Sequence, residues 1–363
     1  MSKKYSGATR TVYEQIRFFD QKGYKVYVIA DNLNKKNVGE TQSDNIKFIK
    51  SFYWPWQKRL TKRLQYSKNV SKLIKKINPD VTISHGDFQN ADYFFTHNNV
   101  CLASERVHGQ TLSQSDEMYQ THVPVFKEKT FKKIIANSQL VKNDLCERFS
   151  IEANRIDVIY PSIYQKDFLE PKQIEIETLK DILDIDKDLL LVGLITSGDF
   201  KKRNLKQYFE AIDLLPKELA KKCYFIFVGK DKIYPEAEAS LQENKYKERI
   251  KHIPIINNVS VLFHALDLFI LPAKFEEFGR VVAEAMACAT PVITNKWVGA
   301  SELLEGTSKN FIYDGESTKT LAGMMEQVLS DEKLRDEMSL QNKESITAIF
   351  EENTYEQLEK ALL

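Results

Sequence analysis

Residues 271–294 read LPAKFEEFGRVVAEAMACATPVIT. The apolar LFILP (268–272) closes on Pro272, so a strand ends there, and KFEEFG follows as a polar loop. A helix is predicted from about Arg280 to Cys288, and PVIT (291–294) is a second short apolar strand. Strand, loop, helix and strand in this order make a parallel βαβ unit. Glu276 then sits in the loop before the helix, and Glu284 about one turn into it. Backbone N–H groups at a helix start bind anions or sugar oxygens, and Gly279 allows a ligand to approach closely. By itself the spacing fits equally well two solvated acids favoured by the helix dipole. The residues around them have to decide.

The same alternation extends in both directions. Upstream lie LLLVGLIT (189–196), a helix over about 204–215, CYFIFVG (223–229) and KHIPII (251–256); downstream lies NFIY (310–313). Nearer the start, Val12, Ile16 and Phe19 recur at helical spacing between Gly7 and Gly23, and YKVYVIAD follows as a strand. DVTISHGD (80–87), DYFFTHN (92–98), KIIANS (133–138) and RIDVIYPS (155–162) are further short strands, with a helix from Leu140 to Phe149. Residues 165–187 are charged and irregular and serve as the domain link. The expected fold is α/β, two Rossmann-like domains facing a cleft, with ligands at the carboxyl ends of the strands. Their spans are 1–165 and 187–345, and 346–363 is a C-terminal helix returning to the first domain.

The 363 residues carry 52 Lys+Arg against 51 Asp+Glu, and 42% are hydrophobic, which excludes a disordered tail or a collagen-like chain. Four scattered cysteines, with no Cys-x-x-Cys or His-x-x-x-His, offer neither a disulfide framework nor zinc ligands. Asp184, Asp186 and Asp188 lack the Gly and Glu that a calcium loop needs. No metal is expected. MSKKYSG has no signal-peptide core and no run of ~18 apolar residues occurs, so the expectation is a cytoplasmic protein.

The charge is unevenly placed. Asn45 to Pro79 holds ten Lys/Arg and no acid, leaving a balance of about −9 for the rest of the chain. FYWPW (52–56) lies in this segment, followed by a helix pattern from Lys58 to Ile77. Leu60, Leu64, Val70, Leu73, Ile74 and Ile77 share one face; Lys58, Lys62, Lys68, Lys72, Lys75 and Lys76 share the other. One reading is a helix packed on a sheet with a solvated basic face. The other is docking to an anionic membrane surface through Trp54, Trp56, Lys58, Arg59, Lys62 and Arg63. No nucleic-acid motif accompanies the charge.

The 271–294 block resembles the signature of retaining nucleotide-sugar glycosyltransferases of family 4, which have the two-domain GT-B fold. That signature runs Pro-Ser…Glu-Gly-Phe-Gly…Glu-Ala-Met-Ala-Cys-Gly-x-Pro-Val. Pro272, Glu276, Phe278, Gly279, Glu284, Ala285, Met286, Ala287, Cys288, Pro291 and Val292 match it, whereas Ala273, Glu277 and Ala289 replace a Ser and two Gly. The resemblance implies that Glu276 contacts hydroxyls of the transferred sugar and that Glu284 accepts both ribose hydroxyls. It implies that Lys202 and Arg203, at the exit of strand 189–196, neutralise the donor pyrophosphate. They stand in swapped order, with Asn204 for the usual Gly. Gly229, at the next strand end, and Asn258 and Val259, where the base lies, complete the donor side together with Phe278, Gly279 and the turn Gly299–Glu302. In the first domain Gly7 resembles the glycine loop near the donor phosphates. His97 falls where such enzymes place a His or Asp near the reacting carbon, so the catalytic candidates are His97 and Glu276. His85-Gly86-Asp87, Glu105, Arg106 and His108 are weaker acceptor-side candidates.

Through SGDF (197–200), NADYFFTHN (90–98) and the basic first domain, the likeness narrows to the lipopolysaccharide-core glucosyltransferase branch. It implies hexose transfer to a glycan or glycolipid, without metal or other cofactor, a UDP-hexose being the first donor to consider. The enzyme would work peripherally on the inner face of the cell membrane, in lipopolysaccharide or other cell-surface polysaccharide synthesis. The family begins with a strand before its glycine loop, whereas only Met1 to Tyr5 precede Ser6-Gly7 here. The first strand is therefore expected to be missing. That departure sustains one alternative, a catalytically inactive GT-B-like binding protein at the membrane. A second is an epimerase or phosphorylase of the same fold. No G-x-G-x-x-G follows a strand, which argues against a dehydrogenase.

Overall fold

The computed structural model describes residues 7–30, 43–51, 56, 59–186, 188–255 and 259–363. They fall into two compact units: Ile163–Glu351, and the residues up to Ser162 together with Glu352–Leu363. Trp54, Lys58 and Asn258 lie outside the described residues.

In the unit that ends at Ser162, β1 (Val26–Ala30) and β2 (Ile46–Lys50) form a parallel pair. β3 (Ile83–Ser84), β4 (Tyr93–Thr96), β5 (Lys133–Ala136) and β6 (Ile156–Val158) form a separate parallel sheet in that order. Adjacent residues of a strand point to opposite faces, so Phe94 and Phe95 serve two cores. Phe94, Ile134 and Ala136 pack on Val125 and Phe126 of the helix Glu117–Glu128 and on Val141 and Leu145 of the helix Gln139–Phe149. Phe95 and Ile135 pack on Phe18 and Phe19 of the helix Gly7–Gln21 and on Tyr355, Leu358 and Leu362 of the C-terminal helix Glu351–Leu362. Tyr355 stacks on Phe18 and donates to Glu14 Oε2 at 3.0 Å; Ser162 Oγ donates to the same oxygen at 3.1 Å. Glu14 is buried, and Arg10 Nε, at 2.8 Å from its other oxygen, balances its charge.

Three expectations are corrected here. The run 80–87 yields only Ile83–Ser84 as strand. Thr82 is held through its N–H and hydroxyl by Asp92, and Ser84 Oγ donates to Phe88 O, so side chains take over from the ladder. The link over 165–187 is not irregular: Gln173–Ile182 is a helix, with Ile176, Leu179 and Leu183 half-buried at helical spacing. The basic helix spans Arg59–Ile77, but Leu64 is exposed, and Arg63 is no surface cation. Its guanidinium pairs with Asp87 at 3.2 Å and Glu117 at 3.1 Å, leaving the side chain 16% exposed. Lys68, Lys72, Lys75 and Lys76 do form an exposed basic face.

The other unit holds one sheet of six parallel strands. These are β7 (Leu190–Ile195), β8 (Cys223–Val228), β9 (Ile250–Ile253), β10 (Leu268–Leu271), β11 (Val292–Asn295) and β12 (Ile312–Tyr313). Their order is β12-β11-β10-β7-β8-β9. The central strands β7, β8 and β10 are near-continuous apolar runs, as strands buried on both faces are, whereas the edge strand β9 carries Lys251 and His252. Tyr208, fully buried in the core, lies with its hydroxyl 3.1 Å from the carbonyls of Val192 and Ile226. No helix among the described residues is long and apolar enough to cross a membrane.

Candidate active site

The chain starts this sheet in its middle, at β7, builds outward through β8 and β9, and then returns to build through β10, β11 and β12. The order reverses between β7 and β10, and ligands of open α/β sheets bind outside the carboxyl ends of strands at such a switch point. The loops leaving β7 and β10 carry Lys202–Arg203 and Glu276–Gly279, respectively. Residues distant in sequence are brought together there, and Lys274 N–H donates to Lys202 O at 2.9 Å to tie the two loops.

Four charged side chains meet between the loops. Arg203 Nη2 lies 2.7 Å from Glu276 Oε1, and Lys202 Nζ lies 3.5 Å from Glu276 Oε2 and 3.1 Å from Glu277 Oε2. All four are largely shielded, with side-chain exposures of 10–19%. Burial works against the Lys202 ammonium, but Glu276 and Glu277 outweigh it and hold its pKa above the ordinary lysine value. Phe200 anchors the β7 loop by burying its ring against Phe227. Asp231 accepts from Asp199 N–H, and Asp199 Oδ1 accepts from Lys202 N–H at 3.1 Å. Glu277, which replaces a Gly of the family pattern, is thus the second carboxylate on Lys202. That partnership and the Asp231 anchor were not legible in the sequence, although Asp231 stands just beyond the end of β8.

The β10 loop is laced to 297–300: Glu276 N–H donates to Trp297 O, Gly299 N–H to Glu276 O and Ala300 N–H to Phe278 O. Gly279 then opens the helix Arg280–Ala287 at φ +87°, where a Cβ would lie 2.8 Å from Val298 Cγ1. Only glycine fits both the backbone and the space. Phe278 is buried, and Glu284 is half-buried one turn into this helix. Gly229 follows β8, and a Cβ there would lie 2.7 Å from the Phe200 ring, so this glycine keeps the β7 loop seated. Val259 is the first residue of the helix Val259–Ala265. Burial pushes the Cys223 and Cys288 thiols up to about 12, so neither is a thiolate nucleophile near neutral pH.

In the other unit Gly7 is the first residue of the helix Gly7–Gln21. His97 follows β4 and His85 follows β3, and parallel pairing of these strands puts the two rings side by side. His85 Nδ1 lies 2.8 Å from His97 Nε2. Burial holds His97 down at about 4 and His85 well below the ordinary histidine value, with the neighbouring His97 charge a further cause for His85. Glu105 accepts two bonds of 2.7 and 2.8 Å from Arg148.

The model of the family described as "Glycosyl transferases group 1" matches residues 176–345, and that of "Glycosyltransferase Family 4" matches residues 5–164. The lipopolysaccharide glucosyltransferase WaaG of Escherichia coli is 24% identical over 283 residues, covering 75% of this chain and 74% of the relative. A crystal structure of WaaG, titled as a glycosyltransferase involved in lipopolysaccharide biosynthesis, superposes with a TM-score of 0.79 at 19% identity, over 99% of this chain and 97% of that one. Anabaena HepE, crystallised with UDP and glucose, superposes with a TM-score of 0.75 at 17% identity, over 100% and 97%. With a family 4 domain followed by a group 1 domain, on the GT-B fold of these neighbours, the chain belongs to the glycosyltransferases.

Proposed function

We propose that the protein is a retaining hexosyltransferase that moves a sugar from a nucleoside diphosphate donor, a UDP-hexose first, to a glycan or glycolipid hydroxyl. The observation that carries this reading is the Lys202–Arg203 pair set against Glu276 at the switch point of the sheet. Two shielded cations at a strand exit suit the charge that develops on a departing diphosphate, and carboxylates accept from sugar hydroxyls. Glu276 is read as the group that contacts the transferred sugar, and Glu284 as the acceptor of the ribose hydroxyls. The departing phosphate oxygen takes the acceptor proton on the same face of the sugar, so no covalent enzyme intermediate and no metal enter the scheme. His97 is read as a group that hydrogen-bonds a substrate hydroxyl. Incubation with donor and a glycolipid acceptor is expected to release nucleoside diphosphate only when both are present, with the anomeric configuration kept in the product. Release without acceptor, or an inverted product, would contradict the proposal.

Similarity to WaaG supports lipopolysaccharide or another cell-surface glycan as the setting, with the enzyme peripheral on the inner face of the membrane. Trp56 (77% exposed) and the lysine face of Arg59–Ile77 support docking to anionic lipid, whereas Arg63 is committed to Asp87 and Glu117. The full chain is expected to sediment with phosphatidylglycerol vesicles at low salt and to be released by about 0.5 M salt, since basic residues act within a Debye length. Equal sedimentation with neutral and anionic vesicles would remove the docking claim.

A further inference from the structure

Among the described residues His85 and His97 are hydrogen-bonded to each other and to no carboxylate. The His85 ring stacks on Phe95 at 4.7 Å and lies nearly coplanar with the His97 ring, edge to edge at 5.1 Å between centroids with 20° between the planes, at the carboxyl ends of β3 and β4. His85 Nδ1 and His97 Nε2 share one hydrogen bond of 2.8 Å, which needs a single proton between two nitrogens. Each ring keeps one outer nitrogen, His97 Nδ1 and His85 Nε2, neither of which bonds a protein group among the described residues. His97 also lines a small cavity of about 20 Å³ with Gln15, Thr96, Asn137 and Ser162, room for one water.

We propose that His85 is a positioning residue for His97: their in-plane hydrogen bond fixes the His97 ring with Nδ1 as its one nitrogen open to a hydroxyl-bearing substrate. When the bridging proton sits on His85, His97 Nδ1 carries its own proton and donates; when it sits on His97 Nε2, Nδ1 is bare and accepts. A sugar hydroxyl both donates and accepts, so it pairs with either arrangement. Burial keeps both rings below the ordinary histidine range, so the pair is neutral near neutral pH. The tautomer of a neutral imidazole is tied to the bond its second nitrogen makes, and here that bond couples the tautomer of His97 to that of His85. The substrate part of this inference rests on the glycosyltransferase reading above; the pairing does not.

The test separates the two. In the full chain, ¹⁵N-labelled at its six histidines, long-range ¹H–¹⁵N spectra are expected to show one proton coupled to nitrogens of two different rings, and to lose it in His85→Phe. Two histidines exchanging independently with solvent would overturn the pairing. With donor and acceptor supplied, His85→Phe, which keeps a ring on Phe95 but removes the bond to His97, is expected to lower kcat about 10- to 100-fold, the effect of losing an outer partner of a working imidazole, with donor KM little changed. His85→Asn, which returns a polar group near the Nδ1 position, is expected to recover part of the loss. Unchanged kcat in His85→Phe, or an equal loss in His85→Asn, would overturn the positioning role. If wild-type protein turns over no donor, the functional reading fails while the spectra still decide the pair.

Discussion

Replacing Arg203 with alanine is expected to lower kcat about 10²–10³-fold, the effect of removing one preorganised donor from a developing negative charge. The guanidinium is held 2.7 Å from Glu276 and only 19% exposed, so it loses little freedom when a diphosphate arrives. Its removal has a second consequence, because Glu276 is buried and would keep only Lys202, at 3.5 Å. A carboxylate that has lost its guanidinium partner is less firmly held and serves less well as an acceptor for sugar hydroxyls. Arg203→Lys is expected to recover only part of the loss, since an ammonium lacks the planar fork. Steady-state turnover at saturating donor, with circular dichroism to confirm folding, measures the effect. A kcat within threefold of wild type in Arg203→Ala would remove the assignment.

Replacing Gly279 with valine is expected to destabilise the Ile163–Glu351 unit by about 2–6 kcal/mol. A β-branched residue in the left-handed region is strained by about 1–3 kcal/mol, and overpacking of a filled site adds a similar amount. Both terms apply, since φ is +87° and the new Cβ would lie 2.8 Å from Val298 Cγ1. For a unit of this size that is a fall in Tm of roughly 5–15 °C. The displaced chain also carries Glu276 and the start of the Glu284 helix, so donor affinity is expected to fall with stability. Gly279→Ala is expected to show the same change at smaller size. A calorimetric Tm within 1 °C of wild type for Gly279→Val would contradict the packing described for this turn.

Much of the donor side can be read from local signals. Pro272, Gly279 and the apolar runs on either side place a strand exit and a helix start, and Lys202–Arg203 lie just beyond another apolar run. That these two exits are neighbours follows only from the β7–β10 pairing, a contact between residues far apart in the chain. The partnership of Glu277 with Lys202 was hidden for the same reason: its type marks a departure from the family pattern, but its partner comes from another loop. His85 and His97 became a pair because each ends a strand of one parallel ladder, which sets their carboxyl ends side by side. The basic composition of its segment put Arg63 among the membrane-docking candidates. Asp87 and the helix Glu117–Glu128, which no local pattern reveals, turn that position into an ion-pair site. The helix Gln173–Ile182 was masked by its charged composition, since a half-buried surface helix needs only a narrow apolar stripe.

The most direct measurement of the central claim is the thermal midpoint of the chain in millimolar UDP-, GDP- and ADP-sugars, for wild type and Glu284→Ala. A ligand at ~100 times its dissociation constant adds ~2.7 kcal/mol to the folded state. One nucleotide class, UDP-hexose first, is expected to raise the wild-type midpoint by several degrees and that of Glu284→Ala much less. A wild-type midpoint that no nucleotide sugar moves, or an equal rise in Glu284→Ala, would contradict the central claim.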